Sequence, residues 1–251
     1  SELRIGDILP YINRRALFRG QWQYRRGRRS EEEYRLFLSQ VVEPKFHEWC
    51  MRAAEDRLLE PKLVYGYFPC NSEGNDLIVY DPESGRERVR FTFPRQRDGR
   101  HNCISSFFRP VSSGERDVVA FHLVTMGAVA TETAQAYFKA DRYAEYLHFH
   151  GLAVEAAEAL AEYWHMQIRH ELGIGGQDAF TVEAFFHQAY QGSRYSFGYP
   201  ACPRLEDQVQ IFKLLDPGRI GLSLTDEFQL VPEQSTSAII VHHPEARYFH
   251  A

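Results

Sequence analysis

The run Arg194-Tyr195-Ser196-Phe197-Gly198-Tyr199-Pro200-Ala201-Cys202-Pro203 holds the residue types best suited to chemistry in this chain. Arg194 offers a planar guanidinium fork that matches a carboxylate. Gly198 permits a backbone conformation, or a close approach to a ligand, that a Cβ would block. Pro200 and Pro203 stiffen the second half of the run and remove two N–H donors. The expected product is a rigid loop with exposed peptide groups, suited to reading a flat polar heterocycle. On residue types alone, a structural loop with a surface arginine is the heavier reading.

Other chemistries find less support. The four cysteines, Cys50, Cys70, Cys103 and Cys202, are scattered, with no CxxC pair, so a structural zinc site is not expected and free thiols are. None of the 11 histidines forms HExxH. His148 and His150 lie on different faces of a helix, and His242 and His243 end a strand-like run; neither pair is assigned a metal. The net charge of −5 gives no basic field for nucleic acid. The local run Arg25-Arg26-Gly27-Arg28-Arg29 is followed at once by Glu31, Glu32 and Glu33 and reads as a solvated loop. No apolar run approaches the roughly 20 residues of a membrane span, and no signal-peptide pattern opens the chain. A cytoplasmic protein with neither nucleic-acid nor membrane partners is the natural expectation.

The elements that must position these residues come in blocks. Residues 1–29 read as irregular. A helix starts at Ser30, where Ser30 and Glu33 form a capping box, and continues through Leu59 with a kink or split at Pro44. Strands are expected over 63–68, stopped by Pro69, then over 76–80, 89–93 and 118–124, as an antiparallel meander. Residues 128–172 form a long helical region closed by Gly173-Ile174-Gly175-Gly176. A short helix is expected over 181–191 and an amphipathic segment over 205–215, closed by Pro217-Gly218. Strands at 228–231 and 237–243 are expected to pair with the meander. Helices and strands do not alternate, so the class is α+β. A Rossmann-type methyltransferase is excluded, because no GxGxG-like loop follows a first strand.

The segment from Arg194 to Pro203 resembles the RxxxGYPACP signature of the activation domain of cobalamin-dependent methionine synthase. Further blocks resemble that family in order: Ile12 to Gln23, Gly66 to Asn71, Phe93 to Gln96, Ile104 to Phe108, Leu224 to Phe228 and His243 to Tyr248. The likeness covers almost the whole chain. It implies a single C-shaped α+β domain over residues 1–251, with a bent antiparallel β-sheet flanked by helices and a shallow groove for S-adenosylmethionine. It implies a role in reactivation: when cob(I)alamin loses an electron, the domain docks over the corrin. A flavodoxin-type partner returns an electron, and the sulfonium methyl passes to cobalt. Cobalamin would be held by the neighbouring cobalamin-binding domain of the same enzyme, and zinc only by other domains of the whole. Ser1-Glu2 at the start and the stop soon after Tyr248 suggest the C-terminal domain of a larger methyltransferase.

The resemblance carries over several cofactor-binding positions and no catalytic residue, since positioning the methyl carbon is the whole task. Asp7 matches an aspartate that contacts S-adenosylmethionine; the plain alternative is a helix or turn cap. Arg194 matches the arginine for the methionyl carboxylate. Tyr199 and Ala201 would meet the nucleoside through their peptide groups. Tyr248 and Phe249 match a tandem aromatic pair, with core or edge packing as the alternative. Glu158 matches a glutamate near the sulfonium, or else sits on a solvated helix face. Gln188 falls where family members can carry glutamate, and Phe197 replaces a smaller residue of the signature. The isolated domain should bind its ligand and turn over nothing. Two other readings keep the same physics: a free-standing subunit serving a separate corrinoid protein, and a non-catalytic module that senses S-adenosylmethionine or docks proteins.

Overall fold

Ser30 opens the first long helical run as its sequence demands: Ser30 Oγ accepts from Glu33 N at 3.2 Å, and Glu33 Oε2 accepts from Ser30 N at 2.7 Å. The computed structural model describes residues 3–178 and 181–251. Its helices are α1 Ile5–Ile8, α2 Glu31–Phe37, α3 Glu43–Glu55, α4 Ala128–Lys139, α5 Tyr143–Glu171, α6 Val182–Phe185 and α7 Gln208–Leu215. Its strands are β1 Lys62–Glu73, β2 Asp76–Tyr80, β3 Glu87–Thr92, β4 Asp117–Thr125, β5 Ser193–Ser196, β6 Ser223–Leu224, β7 Leu230–Val231 and β8 Ser235–Val241. The chain divides into two units, one of residues up to 62 with 125–162 and 231–235, the other of 63–124, 163–230 and 236–251.

The first unit is helical. A π turn, Leu38–Val42, joins α2 to α3, and Pro44 sits in the first turn of α3. The proline has no N–H to extend the ladder, and the turn before it widens to a π turn, so the expected split becomes a local widening of one continuous run. The segment expected to be irregular contains α1 and a second π turn, Ala16–Gln21, ahead of the buried Trp22. The region 128–172 is two helices, broken where Asp141 turns left-handed at φ +57. An aromatic core holds the unit together. Trp22 donates to His148 O at 2.9 Å, Tyr24 Oη lies 2.8 Å from His148 Nε2, and Trp49 meets the Tyr137 ring edge-on. His150 instead stacks on Tyr146 and meets Gln234 at 3.2 Å, so His148 and His150 serve different neighbours.

The second unit is built on a six-stranded sheet in the order β3-β2-β1-β4-β8-β5. β2 pairs antiparallel with β1 and β3, and β5 pairs antiparallel with β8. β1 does not stop at Pro69. Its pairing with β2 begins one residue later, at Cys70↔Val79, so the proline sits where that ladder has not started. One sheet face, with Phe121, Leu123, Tyr195, Ile239 and Val241, packs into a large apolar core together with Ile211 and Leu215 of α7. The alternate residues Ala120 and Ile240 face Ile168 and Trp164 in the last turns of α5. Tyr65 and Tyr67 of β1 both donate to the Glu171 carboxylate, fixing the end of that helix. Two further expectations are corrected. β7 pairs with β6 in a separate two-stranded sheet, not with the main one. Only Val182–Phe185 of the helix expected over 181–191 forms, because Gln188 turns left-handed at φ +52 and the chain bends into β5.

Candidate functional site

Arg194 lies on a strand, not in a loop. β5 pairs with β8 in the register Ser193↔Val241, Arg194↔Ile240, Tyr195↔Ile239 and Ser196↔Ala238. Directly paired residues share a sheet face, so half-buried Arg194 projects from the side of Ile240, under the last turns of α5, while Tyr195 points into the opposite core. A strand fixes a side chain more tightly than a loop does, and this edge strand is pinned by its neighbour.

The loop after β5 is as stiff as its composition requires. Gly198 N donates to Cys202 O at 3.0 Å and Cys202 N to Tyr199 O at 2.9 Å, closing a turn over Pro200 and Ala201. Gly198 has φ +89, and a Cβ there would sit 2.9 Å from Leu205 Cδ2, so glycine answers both backbone and space. Tyr199 is 54% exposed, whereas Ala201 is buried. Ala201, side chain and main chain alike, is thus enclosed, so the turn exposes its peptide face at Tyr199 and not at Ala201. Cys202 Sγ donates to Ser196 O at 3.0 Å, and burial pushes its thiol pKa up. Phe197 turns into the core against Phe91, with ring centroids 5.9 Å apart, which takes its bulk away from the exposed face of the loop.

The C-terminal segment lies beside this strand and loop. Tyr195 Oη donates to Arg247 O at 2.7 Å. The Tyr195 ring stacks on Tyr248 at 6.5 Å and meets Phe249 edge-on at 5.6 Å. Phe249 is core, in line with its packing alternative, while Tyr248 is 42% exposed. Burial, then the nearby Cys202, raises the Tyr248 pKa.

Two imidazoles stand behind Arg194 that residue patterns did not single out. His122 of β4 and His165 of α5 are fully buried, and their ring nitrogens have no hydrogen-bond partner among the described residues. Burial and then the Arg194 charge hold the His122 pKa down to about 3. Burial, followed by Arg169, Arg194 and His122, pushes His165 well below its ordinary value. Both are neutral at physiological pH, so the fixed positive charge here belongs to the guanidinium groups, as an anion such as a carboxylate requires. His122 follows Phe121 in an apolar strand, and only the period-2 alternation marked its face.

Arg194, Tyr199, Ala201, Tyr248 and Phe249 thus all fall in the second unit. Asp7 and Glu158 belong to the first. Asp7 Oδ2 accepts from Arg4 N at 3.2 Å, reaching back from the third position of α1 to the residue that caps it. Glu158 is half-buried on α5 and shares a helix face with Glu155 and Glu162. Glu155 is more enclosed than either sequence pattern or spacing indicated: it accepts from Gln21 at 3.3 Å, and burial lifts its pKa to about 7.

Comparison with known proteins identifies the family and the fold. Residues 8–251 match the family described as vitamin B12 dependent methionine synthase, activation domain. The chain is 44% identical over 262 residues to methionine synthase of Mycobacterium tuberculosis, covering 98% of this chain and 22% of that protein. It is 42% identical over 261 residues to methionine synthase of Mycobacterium leprae, with the same coverage. The chain therefore spans about a fifth of the length of these relatives. The crystal structure of the MetH reactivation domain bound to AdoHcy superposes with a TM-score of 0.84 at 25% identity, covering 100% of this chain and 79% of that one. This chain belongs to the activation-domain family of vitamin B12 dependent methionine synthase.

Proposed function

We propose that residues 1–251 act as one S-adenosylmethionine-binding domain of a methionine synthase, serving the reductive methylation of inactive cob(II)alamin. The observation that carries this reading is the fixed arrangement of Arg194, the Tyr199–Cys202 turn and Tyr248 around one strand end. The solved relative bound to AdoHcy supports the ligand class. When bound, S-adenosylmethionine supplies an activated methyl group, for a cobalamin held by the neighbouring domain and with one electron from a flavodoxin-type donor. The residues fit such a ligand. Arg194 pairs with the methionyl carboxylate, the exposed Tyr199 end of the turn meets the nucleoside, and Tyr248 offers an exposed aromatic face, while the contact at buried Ala201 is carried over by the family resemblance alone. Asp7 and Glu158 are carried to the ammonium and sulfonium ends by the family resemblance alone.

No acid, base or nucleophile of the chain is needed in this reading. Its residues bind and orient, and the gain comes from geometry. The docking partner is the cobalamin domain of the same enzyme, and the setting is the cytoplasm. No described helix is long and apolar enough to cross a membrane.

Calorimetric titration tests the reading. S-adenosylmethionine should bind the wild-type chain saturably, and Arg194→Ala should weaken binding by about 1.5–3 kcal/mol, the range for a hydrogen bond to a charged group. A folded wild type that binds neither S-adenosylmethionine nor S-adenosylhomocysteine would overturn it.

A further inference from the structure

Gln188 lies outside β5 and the loop after it, yet it touches both ends of the arrangement. Its Nε2 donates to Ser193 Oγ at 3.1 Å, one residue before Arg194. Its Oε1 accepts from the backbone N of Tyr248 at 3.1 Å. One planar amide thus spans from the start of β5 to the residue that presents the exposed ring. The neighbours repeat the pattern: Gln191 Nε2 donates to His242 O at 3.0 Å, and Tyr195 Oη donates to Arg247 O. Three side chains from residues 188–195 therefore strap down the segment 242–248. Of the three, Gln188 is the one that hydrogen-bonds to the main chain of Tyr248, on whose ring Tyr195 stacks. It also lines an open cleft of about 270 Å³ with Tyr190, Gln191, Pro244 and Arg247.

We propose that Gln188 is a positioning residue: its amide holds the strand of Arg194 and the backbone of Tyr248 in one geometry, so that both reach the same ligand. This rests on the proposed function above. Tyr248 is half-exposed, and its ring stacks on Tyr195 and meets His250 edge-on, contacts that hold the ring while the Gln188 amide holds the main chain. An amide suits the task because it donates to a hydroxyl with one end and accepts from a main-chain N–H with the other, and carries no charge to oppose a ligand carboxylate. A glutamate at this position can accept from both neighbours, since the Ser193 hydroxyl can reverse its role. It would keep the tether while adding a negative charge.

The experiment compares wild type, Gln188→Ala, Gln188→Glu, Ser193→Ala and Tyr248→Ala in the whole chain. It reads S-adenosylhomocysteine affinity by calorimetry and amide exchange at Tyr248 by mass spectrometry or NMR. Gln188→Ala should bind about tenfold more weakly, as expected for loss of up to two neutral hydrogen bonds. Its Tyr248 amide should exchange faster at an unchanged melting temperature. Ser193→Ala, which breaks one end only, should fall between, and serves if the first variant does not fold. Gln188→Glu should restore slow exchange. In a Tyr248→Ala background, Gln188→Ala should cost no further affinity, which a merely structural role would not produce. Wild-type affinity in Gln188→Ala, unchanged exchange at Tyr248, or full additivity with Tyr248→Ala would each overturn the proposal. A wild type that binds no S-adenosyl ligand would overturn the proposed function instead, and the exchange comparison would still decide the tether.

Discussion

Arg169 grips Asp178 through two nitrogens, Nε at 3.0 and 3.1 Å from the two carboxylate oxygens and Nη2 at 2.7 Å, with both side chains almost wholly buried. The same guanidinium lies 3.8 Å from the Tyr190 ring centroid, and Tyr190 meets His165 edge-on at 5.2 Å. The pair therefore braces the bend that delivers the chain into β5. Cutting a buried pair leaves an uncompensated charge, which costs about 3–5 kcal/mol. Asp178→Ala should lower the unfolding free energy by that amount in urea titration, whereas a surface pair such as Arg142–Glu145 should yield to substitution with little change.

Gly192 is the hinge of that bend. It has φ +87, and a Cβ would stand 2.4 Å from the carbonyl oxygen of Val241, a main-chain atom committed to the β5–β8 region. Neither the backbone strain nor the clash can be relieved by a side-chain rotation. Gly192→Ala should cost at least ~2 kcal/mol in stability. It should also weaken ligand binding, because the displaced residue lies two positions before Arg194.

Stability should fall in mild acid. Burial depresses the pKa values of His122 and His165 below the ordinary 6.5. Above about pH 6.5 both states leave these rings neutral, and the contribution is constant. Below it the unfolded chain takes up protons that the folded chain refuses, so unfolding becomes easier by about 1.4 kcal/mol per pH unit for each ring, down to about pH 3 for His122. Glu155 works in the opposite sense between about 7 and the ordinary 4.5, because there the folded state gains the proton first. Two rings outweigh one carboxyl. Urea unfolding at about pH 5 and about pH 7.5 should show the loss, and His122→Phe should flatten its slope by one proton.

Arg194 should discriminate by ligand. If its fork holds a carboxylate, Arg194→Ala should weaken S-adenosylhomocysteine by roughly 10- to 100-fold and leave adenosine, which lacks the methionyl tail, almost unaffected. An equal loss for both ligands would place the guanidinium's effect in the fold and not at the carboxylate.

The features legible in the residues alone were local. Ser30 and Glu33 announced their capping box, the strand expected at 76–80 formed between its turn residues, and the alternating strand expected at 89–93 formed as Glu87–Thr92. The features that escaped were set by distant partners. Arg194 looked like a loop residue because β5 is four residues long and owes its existence to β8, more than forty positions later. Pro69 looked like a stop because the ladder that tolerates it starts at the next residue. β7 looked like part of the main sheet until β6, too short to notice, claimed it. The family signature supplied the residues proposed for the candidate site, while the neutral histidines behind Arg194 and the reach of Gln188 depend on burial and on contacts that spacing does not encode.

The Cys202 thiol bears on how such a site survives its own reagent. A sulfonium methyl donor alkylates soft nucleophiles, and the loop proposed to hold one contains a cysteine. Thiolate, not thiol, is the reactive form. Burial keeps Cys202 protonated, and its S–H is spent on the Ser196 carbonyl at 3.0 Å. The sulfur is thereby quenched as a competing methyl acceptor, and the domain can keep a cysteine in its signature loop without being consumed by the methyl donor proposed to bind there.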